Sequence, residues 1–249
     1  MKKLSLLLAL LLVVSCFVLA SCGEEEESSV TETSSTATSS VEESKAESSV
    51  ADASSEEASS EEESKEPEYT KNPDATATEG NNVAAGKTYT RSQLFRQGGA
   101  EANWGWDENA KIAYDDEDNA TLTDGVYAAA DAVYSDAAWM GFHKNSPDYS
   151  TNGGYSWIIV DLGESYELSE LSLYVGTSFL ANGISIPTAI EYLVSEDGEN
   201  WYSAGTVNPT DDATVACVPA TLECDVTGRY VQIRITTPGW AFISEFEAK

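Results

Sequence analysis

Apolar and polar positions alternate through the last two-thirds of the chain. From Arg229 to Thr236, Val231, Ile233 and Ile235 fall on one side and Tyr230, Gln232 and Arg234 on the other, the period-two pattern of a half-buried strand. Leu171, Leu173 and Val175 repeat it, as do Ile190, Tyr192 and Val194. Trp157 to Leu162 is almost continuously apolar and predicts a strand covered on both faces. Between Val194 and Trp201, Asp197-Gly198 predicts a hairpin, because this dipeptide tolerates the positive φ of tight turns. Gly, Asn, Asp and Pro punctuate the runs and no helical period emerges. The region from about Asn81 to Lys249 therefore predicts an all-β antiparallel sandwich, long enough to bury one core. Trp139, Trp157 and Trp201 sit on strand-like runs and are predicted core.

The pattern at the amino terminus is different. Lys2 and Lys3 precede an apolar run from Leu4 to Leu19, and small residues lead into Cys22, the layout of a cleaved secretory signal. Leu19-Ala20-Ser21-Cys22 resembles the bacterial lipobox, which implies that residues 1–21 are a signal peptide and that Cys22 becomes an acylated amino terminus. A signal-anchor helix with an incidental cysteine is the alternative, since the run approaches the minimum length of a span. On either reading the remainder is extracytoplasmic. On the first it is lipid-anchored to the cell membrane and displayed at the cell surface.

From Gly23 to Glu66 fifteen acidic residues face only Lys45 and Lys65, with no aromatic residue among the Ser, Thr, Ala and Val between them. Such a segment cannot bury enough apolar area to offset chain entropy, and residues 22–80 are expected to form a disordered tether. A flexible chain of this length spans about 35–40 Å, more under charge repulsion. The formal charge of −30 also excludes nucleic acid as a partner, because counterion release from phosphate requires clustered Lys and Arg.

Five stretches then carry a family resemblance: Asn82 to Lys87 with Tyr89-Thr90; Leu122-Thr123-Asp124-Gly125; Trp157 to Gly163; Val194 to Gly198 with Trp201; and Arg229-Tyr230-Val231 followed by Ile243-Ser244-Glu245. Together they resemble the discoidin-like domains, also called coagulation factor 5/8 type C domains, which include family 32 carbohydrate-binding modules. The resemblance covers residues 81–249 and implies an eight-stranded jelly-roll sandwich, non-catalytic, whose loops at one end bind a glycan or surface glycoprotein. A phospholipid head or a protein is the ligand in some members, so a protein-binding adhesion or envelope-assembly module is the alternative here.

The resemblance also implies a structural Ca²⁺, with Asp124 and Glu245 at the matching positions. One departure is Ala137, two residues before Trp139, where the family often has Thr and its hydroxyl. The alternative is that Asp124 caps a turn and Glu245 is a solvated strand-end residue. The acidic run Asp115-Asp116-Glu117-Asp118-Asn119 is not an EF-hand loop, since its sixth position is Ala120 and its twelfth Val126.

Sugars present apolar C–H faces ringed by hydroxyls, so candidate ligand residues are rings in segments that read as loops. Trp104 and Trp106 are the first pair. His143 with Asn145, Phe179 and Trp240 lie in three further loops. Each ring has a second reading, as a cap on the end of the core. Cys217 and Cys224 flank Pro219-Ala220, which reads as a bend between short strands; they are either a local disulfide or two free thiols. Catalysis finds little support: no Gly-x-Ser-x-Gly elbow occurs, and one histidine excludes metal-hydrolase clusters. A two-carboxylate glycosidase needs only spaced Asp and Glu and is the residual enzymatic reading.

Overall fold

One strand of twenty-one residues, β4 (Ser156–Gly176), organises the domain. A computed structural model describes residues 68–116 and 118–249. The signal peptide, Cys22 and the tether up to residue 67 lie outside the described residues. Ser156, Ile158, Val160 and Leu162 are buried on one face of β4, while Trp157, Ile159 and Asp161 are half-buried on the other. Trp157 is thus not a core residue, and the apolar run is covered fully on one face only. Trp201 is likewise half-buried, and Trp139 alone of the three is in the core.

Strand β7 (Cys217–Thr236) runs antiparallel to β4 along its whole length, from Ser156↔Ile235 to Gly176↔Cys217. The ladder shifts register between Asp161 and Tyr166 and again between Leu168 and Glu170. Gly163, at φ 89°, lies at the first of these breaks. Both strands cross from one layer to the other there. The first arm of β4 pairs with β2 (Tyr89–Arg91), and the facing arm of β7 pairs with β5 (Ala189–Ser195), which carries β6 (Tyr202–Val207). The second arm of β4 pairs with β8 (Trp240–Ala248), which carries β3 (Met140–His143). The strand order is β3-β8-β4-β7-β5-β6, with β1 (Thr76–Ala77) and β2 also on β4, an eight-stranded all-β fold. Between the layers sit Leu122, Ile158, Val160, Leu171, Leu173, Tyr192, Val231, Ile233 and Phe246. Burying each of these side chains contributes about 1.5–3 kcal/mol.

This topology gives the domain two poles. Both ends of β4 and of β7 lie at one, the rim, where Thr237–Gly239 turn the chain into β8. The layer crossings lie at the other. The carboxyl terminus ends at the crossing pole, with Lys249 N donating to the Glu170 carbonyl at 2.9 Å.

Two expectations are corrected here. Residues 68–80, assigned from sequence to the tether, form an ordered strap at the crossing pole. β1 pairs in parallel with Tyr166 and Glu167, Thr227 N donates to the Tyr69 hydroxyl at 2.6 Å, Asn72 N donates to Thr227 Oγ1 at 2.8 Å, and Lys71 forms an ion pair with Asp225. Tyr69, whose ring packs at a tilt against Tyr202 at 5.4 Å, supplies the apolar anchor that the acidic segment before it lacks. Second, Cys217 and Cys224 do not pair. They are free and stand seven positions apart on the single strand β7, about 23 Å at 3.3 Å per residue, far beyond the reach of a disulfide. Pro219 does not bend the chain: it lies where β7 pairs with β4 alone, and an edge stretch tolerates its missing N–H.

Candidate functional site

A second buried cluster, separate from the main core, fills the rim: Phe95, Trp139, Leu180, Ile184, Trp240 and Phe242, with Trp106 and Tyr114 packed against it. Phe95 is its centre. Its ring lies 5.7 Å from Trp106, 4.4 Å from His143 and 5.3 Å from Trp240. Trp240 in turn stands edge-on to Tyr114 at 5.2 Å and contacts His143 at 4.9 Å. Glycine at 141 permits this closeness, since a β-carbon there would meet Tyr114 Cβ at 2.9 Å and Trp240 Cζ3 at 3.1 Å.

The predicted ligand residues fall into distinct roles around this cluster. Trp240 is only 6% exposed and forms the floor, because it is the first residue of β8 and not part of a loop. Trp106 is half-buried and forms a wall. Trp104 is 62% exposed, the most exposed large apolar side chain described. Its loop is closed on itself by backbone hydrogen bonds from Gly98 N to Gly105 O at 2.8 Å, Trp104 N to Gly99 O at 3.1 Å and Asp107 N to Arg96 O at 2.9 Å. Asn103 and Trp104 both adopt left-handed backbone, at φ 49° and 57°. For a bulky residue this costs about 1–2 kcal/mol, which the closed loop must offset to hold the indole outward.

His143 is half-buried, and its Nδ1 accepts from Asn145 N at 3.1 Å, so the neutral ring carries its proton on Nε2. Burial, assisted by the charge of Lys144, lowers its pKa to about 4. Asn145 is exposed beside it. Phe179 is 41% exposed on a short 3-10 turn, Ser178–Leu180, whose Phe179 N donates to Thr177 Oγ1 at 3.3 Å. The loop after that turn reaches Trp240 through Trp240 N to Gly183 O at 3.4 Å and Ser185 N to Trp240 O at 3.0 Å. The structure thus gathers Trp106, His143, Asn145 and Trp240 around one hub, with Trp104 at the tip of an adjoining loop and Phe179 on another. Phe95 and Tyr114, which tie these loops together, carried no signal in the sequence: each sits in a short mixed segment without strand alternation.

Asp124 and Glu245 are also brought together. Glu245 is completely buried; its Oε2 accepts from Gly125 N at 3.2 Å, and its Oε1 has no partner. Burial, followed by the charge of Asp124, raises its pKa to about 7. Asp124 Oδ1 accepts from Val126 N at 2.7 Å. Glu245 is therefore not a solvated strand-end residue. Among the described residues no group of three or more His, Cys, Asp or Glu stands ready for a metal, so any cation here would draw its remaining ligands from carbonyls. An orphaned buried carboxylate oxygen beside a second carboxylate is a donor set that fits a hard cation such as Ca²⁺. By contrast, Asp116 in the acidic run is buried and fully engaged. Its Oδ1 accepts from Ala120 N, Thr121 N and Thr121 Oγ1 at 3.1, 3.3 and 3.0 Å, and its Oδ2 from the Tyr89 hydroxyl.

The F5/8 type C domain matches residues 100–246, more than half of the chain. The chain belongs to the F5/8 type C domain family. Among solved structures it is similar to chitosan-binding module 1 of a chitosanase/glucanase from Paenibacillus sp. IK-5, at 18% identity over 68% of this chain and 98% of that one, with a TM-score of 0.42. It is also similar to CpGH89CBM32-5 from Clostridium perfringens in complex with GalNAc-β-1,3-galactose, at 20% identity over 68% and 99% with a TM-score of 0.42. A third is a mutant of the lectin binding domain of lectinolysin complexed with Lewis b, at 15% identity over 68% and 94% with a TM-score of 0.41. No curated protein matches. The strap lies outside the matched residues of the F5/8 type C domain.

Proposed function

We propose that this protein is a lipid-anchored surface protein, acylated at Cys22, whose F5/8 type C domain binds a glycan through its rim without altering it. Trp104 carries this reading: an indole held outward on a closed loop suits the apolar face of a pyranose. In this arrangement the sugar stacks on Trp104, and His143 Nε2–H and the Asn145 side chain supply hydrogen bonds. His143 stays neutral near pH 7, so it donates from Nε2 without the desolvation cost of a buried charge. The strap lies at the crossing pole of the domain, opposite the rim. Loops already locked through Phe95 lose little entropy on binding. Single-module affinity for a sugar is weak, and many anchored copies compensate through effective concentration.

We infer in addition that Asp124 and Glu245 hold a structural Ca²⁺. The orphaned Glu245 oxygen supports this. The ion would tie the residue 123–126 turn to β8 and would supply charge neutralisation, with no part in chemistry.

A glycan array probed with the chain lacking residues 1–22 tests the leading reading, with Trp104→Ala alongside. Binding to at least one glycan class, lost in the variant, supports it. Binding to none overturns it, and binding indifferent to the substitution overturns the site. One observation favours the rival reading of a protein-binding adhesion module: Val126, Tyr127, Val133 and Tyr134 are exposed in one extended loop segment. Capture of a partner that survives deglycosylation, and is lost in Val133→Ser with Tyr134→Ser, selects that reading.

A further inference from the structure

A cleft of about 190 Å³ opens at the crossing pole, between the strap and the tip of the β5–β6 hairpin. Glu68 and Tyr69 form its strap wall, Glu196, Asp197 and Asn200 its hairpin wall, and Tyr202 closes it from the start of β6. Three carboxylates line the cleft and no Lys, Arg or His does. The Tyr69 and Tyr202 rings lie 5.4 Å apart, inclined by 57°. The walls are fixed in place: the Tyr69 hydroxyl is held by Thr227 N, and Glu196 bridges the strap and the sheet by accepting from Asn72 Nδ2 at 3.3 Å and Ser165 Oγ at 2.9 Å. One wall of the cleft, the strap, lies outside the matched family region, and the hairpin wall lies within it.

Aromatic faces beside uncompensated negative charge, in a recess that partly excludes water, attract a cation. The donor set selects which kind. Asp197 is turned into its own hairpin, accepting from Ser195 Oγ, Glu199 N, Asn200 N and Asn200 Nδ2 at 3.0, 2.8, 2.8 and 2.7 Å. Both Glu196 oxygens are likewise engaged. Oxygens so occupied do not rearrange into the six or more ligands of a hard metal ion, and phenyl faces supply none. An ammonium group asks for less: it donates single hydrogen bonds to acceptors already oriented, and its aliphatic stem lies on a tyrosine ring. We propose that this cleft is a second binding site, independent of the rim, for a primary ammonium group on a short aliphatic or sugar stem.

The test is amide chemical-shift titration of the chain lacking residues 1–22 with n-butylammonium, glucosamine and spermidine, and with neutral n-butanol and N-acetylglucosamine as controls. The expected result is saturable shifts at Tyr69, Glu196 to Asn200 and Tyr202 from the amines alone, with dissociation constants on the order of millimolar. Raising salt from about 0.05 to about 0.5 M weakens them, as screening requires of a partly open site. Glu68→Gln with Glu196→Gln lowers affinity about tenfold at an unchanged fold, and Tyr202→Leu, confirmed folded by its amide spectrum, abolishes it. Trp104→Ala leaves amine binding intact, so failure here and failure of the glycan reading are separate results. Glucosamine binding without spermidine assigns the site to amino sugars, and the reverse assigns it to polyamines; both support the proposal. Absence of shifts at the cleft, equal response to the neutral controls, or affinity unchanged by the double neutralisation overturns it.

Discussion

The Trp240 ring meets Phe95 edge-on, with 5.3 Å between centroids and 85° between planes, and this pair joins the rim loops to the sheet. Phe95 carries Trp106 and His143 on its other sides, whereas Trp240 begins β8 and is fixed by the ladder to β3. Loops of low intrinsic order thereby inherit the rigidity of the scaffold. Preorganisation of this kind is what a weak, shallow binding surface needs.

The closeness of these rings predicts the cost of a single methyl group. Gly141→Ala introduces a β-carbon between Tyr114 and Trp240 at 2.9–3.1 Å, so one of the rings must move. Overpacking of this kind destabilises by about 1–3 kcal/mol. Urea denaturation should show a lower midpoint with an unchanged slope. A change below about 0.5 kcal/mol would mean that the rim is looser than these contacts state.

One part of the pH dependence follows from His143. Its folded pKa, near 4, lies below the ordinary value of 6.5, so the unfolded chain binds the extra proton first as pH falls. The stability it contributes is present above about 6.5 and declines as pH drops toward 4. His143→Gln should flatten the stability profile between these limits relative to the wild type. A profile of equal slope in the two proteins would show that His143 titrates as a solvated group.

Both thiols should remain reduced. Alkylation in denaturant without reductant should label Cys217 and Cys224 fully, and reductant should leave the melting temperature unchanged. Burial raises the pKa of Cys217 to about 12 and of Cys224 to about 11, so labelling of the folded protein should be slow. Recovery of unlabelled, disulfide-linked protein would contradict the single-strand geometry of β7.

Much of this fold was legible in sequence because its long strands are amphipathic: Val231, Ile233 and Ile235 and Leu171, Leu173 and Val175 are all in the core, although the intervening Gln232 and Ser172 are buried as well. The pairing of Asp124 with Glu245 was legible only through the family motifs, since no local pattern joins residues so far apart. Trp240 was misread as a loop ring because Pro238-Gly239 precede it, whereas those residues make the turn that starts β8. The strap was missed for a related reason. Tyr69 is a lone aromatic next to an acidic low-complexity run, and its anchor at Thr227 lies 158 positions away. Phe95 could not be singled out, as its role depends on three rings from other loops.

The strap gives a further prediction. Tyr69→Phe removes the acceptor for Thr227 N while keeping the ring on Tyr202, and should cost about 1–2 kcal/mol at equilibrium. An unchanged stability would mean that the strap is peripheral to the fold.

Calcium is separable from ligand binding. Added Ca²⁺ should raise the melting temperature of the wild type and chelation should reverse this, with Asp124→Ala responding to neither. A wild type indifferent to calcium and chelator would remove the ion from the account of the residue 123–126 turn.

The most direct test of the rim as a non-catalytic glycan surface is isothermal titration of the best array glycan against wild type and Trp104→Ala, with the glycan recovered afterwards and weighed by mass spectrometry. The account predicts an intact glycan and an affinity about thirtyfold lower in the variant, the loss of a stacking anchor worth about 2 kcal/mol. Equal affinity in the two proteins, or a cleaved or modified glycan, would contradict it.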